Sequence, residues 1–106
     1  MQAEQLIFDI GFGFGKEPGQ NMQALAAAPA LRILGRPLLV AASRKSTLGL
    51  LTGRPVQERQ TATDATTAAA QLFGAALVRV HDVAATADVL AVCRPLYQIN
   101  QNREVI

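Results

Sequence analysis

The chain has 106 residues, half of them hydrophobic, and a formal net charge of +2, so it is long enough for one domain, or part of one, with an apolar core. Its basic residues are scattered and its aromatic residues are only four phenylalanines and one tyrosine, which argues against nucleic-acid binding. The single cysteine, Cys93, excludes an intrachain disulfide framework and indicates a reducing compartment, which we expect to be the cytoplasm. We expect no secretion signal, because the first five residues are polar and meet a run of only a few apolar residues. We also expect no membrane helix, because no apolar run approaches ~20 residues.

Three short apolar runs predict the strands of a parallel sheet. The clearest run covers residues 38–42, which follow Pro37 and end abruptly at the polar residues 43–47. A run without polar alternation is typical of a strand buried on both faces. Residues 5–9 and 76–80 form similar runs that also end in polar residues. Parallel sheets and α/β barrels bind their ligands at these carboxyl ends.

The segment between the first two strands begins with a glycine-rich loop. Residues 10–19 contain alternating glycine and phenylalanine, so the backbone can approach a ligand while a ring supplies a stacking face. Asn21 is a suitable N-cap for the helix that follows. Pro29 interrupts this helix, which predicts either two short helices or a restart with Pro29 in the first turn, and Gly35 ends it.

Two helical segments follow the second strand. Residues 46–51 predict one or two helical turns, which Gly53 and Pro55 close. Residues 56–73 have apolar residues near helical spacing and predict a longer helix with Gly74 as its C-cap.

The third strand leads into a final helix. Asp82 is a good N-cap for it, and we expect Pro95 to weaken or end it. Residues 98–106 are polar and predict a poorly ordered tail after a domain formed by residues 1–97.

The spacing of the strand ends predicts a repeated βα unit. Asp9, Lys45 and Arg79 mark these ends and lie 36 and 34 positions apart, although no sequence repeat accompanies the spacing. Crossovers of constant length fit an α/β fold with three parallel strands, each followed by a helix, as in a (β/α) barrel or a doubly wound sheet.

Polar side chains of opposite charge follow the three strands. In either architecture the three strand ends converge, which would bring Asp9 together with Lys45 and Ser46 of the second end. Arg79 and His81 of the third end would lie at the same place. Each residue alone is ordinary at a loop, but cations at buried strand ends lose water and are stabilised by an anion. We therefore expect an anionic ligand, bound in part by helix N-termini. The glycine loop lacks the spacing of nucleotide-binding loops, and one histidine with one cysteine argues against a zinc site.

These three tips resemble the last three strand ends of dihydropteroate synthase. The tips are residues 9–16 (DIGFGFGK), 43–46 (SRKS) and 79–83 (RVHDV), and the resemblance extends from Leu6 to Arg94. It implies a partial (β/α)8 TIM barrel, because a full barrel takes ~250 residues and this chain supplies three strands.

The resemblance implies a transferase of folate biosynthesis. Such an enzyme joins dihydropterin pyrophosphate to p-aminobenzoate and releases pyrophosphate. Asp9 would accept hydrogen bonds from the pterin ring and Lys45 would donate to it, while Arg79 and His81 would hold the pyrophosphate. Lys45, Arg79 and His81 would be the catalytic residues, because cations stabilise the departing pyrophosphate.

The resemblance also implies a second pocket, which would make the protein a sulfonamide target. Ser46 would contact the p-aminobenzoate carboxylate, and Gly13 and Phe14 would help to line the pocket. Ile10 stands where the family usually has proline, which adds an N–H and frees the backbone of this loop.

The resemblance covers only part of a barrel. The family uses magnesium, which an asparagine of an earlier strand binds, and this chain has no counterpart of that ligand. A three-stranded sheet exposes two edges, so we expect a homo-oligomer or a complementing chain. The alternative functions are a non-catalytic half-barrel that binds a pterin, an anion or a partner, and a folate-binding methyltransferase barrel.

Overall fold

The fold is an alternation of strands and helices, seen in a computed structural model that describes residues 7–9, 11 and 18–102. The strands are β1 (Phe8–Asp9), β2 (Leu38–Val40) and β3 (Leu77–Val78). The helices are α1 (Pro18–Ala26), α2 (Ser46–Thr52), α3 (Gln60–Leu72) and α4 (Val83–Gln101), with 3-10 helices at Ala28–Leu34 and Val56–Glu58. None of the helices described is long and apolar enough to cross a membrane.

The three strands form one parallel sheet in the order β1-β2-β3. The central strand pairs Leu39 with Asp9 on one side and with Leu77 on the other. Leu38 and Val40 are each only 2% exposed. The central strand lies between its two neighbouring strands and is covered by helices, which is typical of strands in a parallel sheet. The prediction of three parallel strands, each followed by a helix, is therefore confirmed, although the strands are shorter than the apolar runs.

Helix α1 corrects one prediction. It begins at Pro18, so Asn21 lies within the helix instead of capping it. The Asn21 side chain is 1% exposed and donates a hydrogen bond from Nδ2 to Thr47 Oγ1 over 2.6 Å. Asn21 therefore joins α1 to α2, a contact that a local cap pattern does not reveal.

The predicted breaks around the 3-10 helices agree with the structure in part. Pro29 lies in the first turn of Ala28–Leu34, as the restart requires, and Gly35 ends that segment in the left-handed region at φ +69°. The helix expected over residues 56–73 is instead a 3-10 turn followed by α3. Gly74, at φ +99°, follows the end of α3.

Helix α4 begins as predicted and ends later than predicted. The Asp82 carboxylate accepts a hydrogen bond from the Ala85 N–H over 3.0 Å, which is the expected N-cap. The helix continues through Pro95 to Gln101, so the first residues of the expected polar tail are helical. Proline removes one backbone hydrogen bond, but the packing of α4 along α3 is the most extensive helix contact described and stabilises the continuous helix.

The core lies between the central strand and the helices that pack on it. Its buried members are Leu25 of α1, Val40 of β2, Ala42 after β2, Leu48 of α2, Ala70 of α3 and Ala75 before β3. Three of the six are alanines, which let the helices approach the sheet closely at those points. This packing fixes the strand ends, which carry the polar side chains that the sequence indicates as candidate site residues.

Candidate functional site

A cavity of about 400 Å³ lies at the carboxyl end of the parallel sheet. This volume is in the range of small-molecule sites, ~300–1,000 Å³. All three strands contribute to its lining, which consists of Asp9, Ala41, Ser43, Lys45, Arg79, Val80 and His81. The cavity therefore combines one carboxylate with two cations and an imidazole.

The backbone of Gly11 orients the carboxylate of Asp9. Asp9 is the last residue of β1, and its Oδ1 accepts a hydrogen bond from the Gly11 N–H over 2.7 Å. Gly11 has φ +75°, a conformation that glycine adopts without strain. The carboxylate side chain is exposed, so its remaining oxygen capacity can serve a ligand.

Lys45 lies where the second strand end turns into α2. Its N–H donates to the Ala42 carbonyl over 3.2 Å, and its own carbonyl accepts from the Leu48 N–H over 2.9 Å. Burial lowers the pKa of Lys45 below its ordinary value, the Asp9 carboxylate raises it, and the positive charge of Arg79 lowers it. A bound anion in the cavity would raise the pKa of Lys45 again, because it favours the charged amine.

The residue before Lys45 has an unusual backbone that α3 supports. Arg44 has φ +56°, in the left-handed region that costs ordinary residues about 1–2 kcal/mol. Its N–H donates to Thr63 Oγ1 over 3.0 Å, and its carbonyl accepts from the Arg59 guanidinium over 3.0 Å. The backbone N–H and the carbonyl of Arg44 are thus both hydrogen-bonded. The residues on either side of it, Ser43 and Lys45, both line the cavity.

A short hydrogen bond joins the ends of β2 and β3. Ser43 Oγ lies 2.7 Å from His81 Nδ1 and also accepts the backbone N–H of His81 over 3.2 Å. Arg79 is held nearby, because its N–H donates to the Val40 carbonyl over 3.1 Å. The two strand ends are therefore locked in register at the cavity.

The structure brings together four of the residues that the sequence indicates. Asp9, Lys45, Arg79 and His81 surround the same cavity, while Ser46 is the exposed first residue of α2 and does not line it. Gly13 and Phe14 lie outside the described residues. The roles of all seven residues toward substrates stay predictions.

Sequence reasoning missed the residues that position the site. Ser43 was noted only as part of the polar tip, and Ala41 and Val80 only as strand residues. Arg59 and Thr63 both lie in residues 56–73, which the sequence predicts as one helix without assigning it any contact with the site. Hydroxyl groups at strand ends and a helix rich in threonine are weak signals, because the contacts they make depend on residues 15 to 38 positions away.

The cavity does not fit the magnesium ion that the resemblance implies. Residues 7–9, 11 and 18–102 contain no group of three or more His, Cys, Asp or Glu that could hold a metal ion. Magnesium prefers an octahedral set of oxygens, whereas here a single carboxylate faces cations.

Sequence comparisons match this chain to one family. The sequence model for "Pterin binding enzyme" matches residues 1–81. Dihydropteroate synthase of Haemophilus influenzae is 42% identical over 92 residues, which are 87% of this chain and 34% of that protein. Dihydropteroate synthase of Synechocystis sp. is 45% identical over 96 residues, or 90% of this chain and 33% of that protein. The chain thus spans about a third of the length of these relatives.

Solved structures have the same fold over the matched part. Yersinia pestis DHPS with a pterine-sulfa conjugate superposes with a TM-score of 0.88 at 37% identity, over 92% of this chain and 38% of that chain. The Coxiella burnetii dihydropteroate synthase in complex with pteroic acid superposes with a TM-score of 0.90 at 29% identity, over 93% and 37%. The sequence resemblance to dihydropteroate synthases is confirmed.

Proposed function

This chain belongs to the pterin-binding enzyme family, and from that premise we propose that it is the part of a dihydropteroate synthase that contains the last three βα units of a (β/α)8 TIM barrel. The parallel order of the three strands supports this assignment. The polar tips at all three carboxyl ends support it further, since barrels carry their active sites at that face.

The proposed reaction belongs to folate biosynthesis. The bond between the pterin methylene carbon and the pyrophosphate oxygen breaks, and pyrophosphate leaves with the electron pair. The amine of p-aminobenzoate then attacks the methylene carbon, forms the new carbon–nitrogen bond and loses a proton. The product is dihydropteroate. No covalent bond to the protein forms at any step.

The observation that carries the proposal is the mixed charge of the cavity. Lys45, Arg79 and His81 line the same space of small-molecule size as Asp9. Arg79 and His81 bind the pyrophosphate and stabilise the negative charge that develops as it leaves. Asp9 accepts hydrogen bonds from the pterin ring, to which Lys45 donates.

The second substrate lies toward the start of α2. Ser46, exposed at that helix start, contacts the carboxylate of p-aminobenzoate, and Gly13 and Phe14 line the same pocket. By the same proposal, a sulfonamide competes with p-aminobenzoate there. The compartment we propose is the reducing cytoplasm, which suits the free, buried Cys93.

Calorimetric titration with pyrophosphate tests the anion site. Removing the Arg79 guanidinium in Arg79→Ala deletes hydrogen bonds to a charged ligand, worth about 1.5–3 kcal/mol, so affinity falls by about 10- to 100-fold. The control is Arg54→Ala, which removes an exposed arginine whose ion pair is with Glu58. Equal affinity for wild type and Arg79→Ala contradicts the assignment.

Turnover separates catalysis from binding alone. We expect weak or no turnover of dihydropterin pyrophosphate and p-aminobenzoate by this chain without the rest of a barrel. Activity on addition of the missing barrel strands, or in an assembly, supports the synthase. Pyrophosphate binding that never leads to turnover favours the non-catalytic half-barrel.

The open sheet leads to a proposal about assembly. A homo-oligomer or a complementing chain covers the two sheet edges. Size-exclusion chromatography with light scattering measures the mass in solution. A monomer that unfolds cooperatively contradicts this part of the proposal.

A further inference from the structure

We propose that Ser43 is a positioning residue that fixes the hydrogen of the neutral His81 ring on Nε2. His81 is then a hydrogen-bond donor toward an anion in the cavity. The inference deepens the proposed function and rests on it for the identity of that anion, pyrophosphate. The hydrogen position itself depends only on contacts within the chain.

The geometry is a two-point contact between neighbouring strand ends. Ser43 Oγ lies 2.7 Å from His81 Nδ1 and accepts the His81 backbone N–H over 3.2 Å. Ser43 follows the central strand and is 7% exposed, while the exposed His81 ring lines the cavity. The same hydroxyl therefore holds both the backbone and the ring of His81.

The donors and acceptors available to Ser43 and His81 select one tautomer of the neutral His81 ring. A serine hydroxyl has one hydrogen to donate and two lone pairs to accept with. Within the described residues, Ser43 Oγ forms hydrogen bonds only with His81. If Nδ1 carried the hydrogen of the neutral ring, the hydroxyl would accept twice, and among the described residues its own hydrogen would have no acceptor, which is unfavourable for a side chain only 7% exposed. The hydroxyl therefore donates to Nδ1, and the ring hydrogen is on Nε2.

The consequence is a donor that does not depend on the charge of the ring. In the neutral ring the hydrogen is on Nε2, and in the imidazolium both nitrogens carry one. Because Ser43 occupies Nδ1, the nitrogen left for a ligand is Nε2 in both states. A phosphate oxygen beside Lys45 and Arg79 can therefore accept a hydrogen bond from His81 Nε2 in both states of the ring.

Nitrogen NMR of the wild-type chain tests the tautomer directly. His81 is the single histidine of the chain, so a long-range proton–nitrogen spectrum of the ring has one set of signals. The spectrum is recorded without ligand at a pH where the ring signals no longer change. We expect a protonated Nε2 and an unprotonated Nδ1. A hydrogen on Nδ1 overturns the proposal without any variant being needed.

The variant Ser43→Ala tests the cause. Without the hydroxyl we expect the spectrum to shift toward a mixture of the two tautomers, and pyrophosphate to bind about fivefold more weakly through loss of one oriented hydrogen bond. Thr66→Ala is the matched control, because it removes a buried hydroxyl whose partner is the Ala62 carbonyl within α3, and its spectrum should equal that of wild type. An unchanged tautomer in Ser43→Ala overturns the inference.

The two tests fail separately. If wild type shows the Nε2–H ring but does not bind pyrophosphate, the tautomer assignment stands and the proposed function is wrong. If wild type binds pyrophosphate with its ring hydrogen on Nδ1, the positioning role is wrong and the anion site stands.

Discussion

Replacing Thr63 by valine tests whether helix α3 holds the turn that carries Lys45. Thr63 Oγ1 accepts the N–H of Arg44 over 3.0 Å, and Thr63 is 2% exposed. Arg44 is in the left-handed region at φ +56°. Valine has nearly the shape of threonine but no acceptor, so the change removes this hydrogen bond with little change in packing.

The expected loss of stability follows from the unpaired N–H. Leaving a shielded donor without its acceptor costs about 1–3 kcal/mol. If the turn relaxes away from the left-handed region, it recovers part of the ~1–2 kcal/mol that this conformation costs. We therefore expect the free energy of unfolding to fall by about 1–2 kcal/mol. For a domain of this size that lowers the melting temperature by roughly 4–8 °C per kcal/mol.

Urea and thermal unfolding of three proteins measure this effect: wild type, Thr63→Val and Thr66→Val. Thr66 is the matched control, because it is a buried threonine of the same helix whose hydroxyl donates to the Ala62 carbonyl within α3. We expect Thr66→Val to change stability less than Thr63→Val, because the hydrogen bond it loses goes from a helix hydroxyl to a carbonyl of the same helix and contributes little to helix stability. We also expect pyrophosphate affinity to fall in Thr63→Val alone, because Lys45 follows the turn. Equal stability of the two variants refutes the reasoning.

Two further predictions concern charge and space near the same turn. Burial lowers the pKa of Lys45, so pyrophosphate affinity should fall with rising pH over a range below that of an ordinary lysine, since a bound anion favours the protonated amine. When pyrophosphate affinity is measured across alkaline pH, the affinity of Lys45→Arg should lose this dependence on the side chain at position 45, because arginine stays charged. A wild-type affinity with the same pH dependence as Lys45→Arg would contradict the lowered pKa of Lys45. An added Cβ at Gly49 would lie 2.6 Å from Arg59 Cζ, whereas one at Gly19 meets nothing within 4 Å. In urea unfolding, Gly19→Ala should therefore gain about 0.5 kcal/mol of helix stability while Gly49→Ala does not, and equal gains would show that Arg59 moves freely.

Local chemistry accounts for the elements that the sequence predicted correctly. An apolar run without alternation indicates a buried strand wherever it occurs, and β2 is one. The breaks at Pro29 and Gly35 and the cap at Asp82 depend on backbone groups within a few residues. The convergence of the strand ends then follows from parallel connections alone, which is why the cavity contains Asp9 and the other expected charges.

Contacts between distant residues account for what the sequence did not predict. Asn21 has the character of a cap but is buried within α1, because Thr47 of another helix pairs with it. Pro95 has the character of a helix end but lies within α4, because packing against α3 outweighs one lost hydrogen bond.

The sequence by itself determined the parallel α/β fold, the family and the charges at the strand ends. Only the tertiary structure decided how those charges are held: the Ser43 hydroxyl on His81, and Thr63 with Arg59 on the left-handed Arg44. The physical reason is range. Strand and turn preferences act over a few residues, whereas these hydrogen bonds join groups 15 to 38 positions apart that meet only after the core has packed.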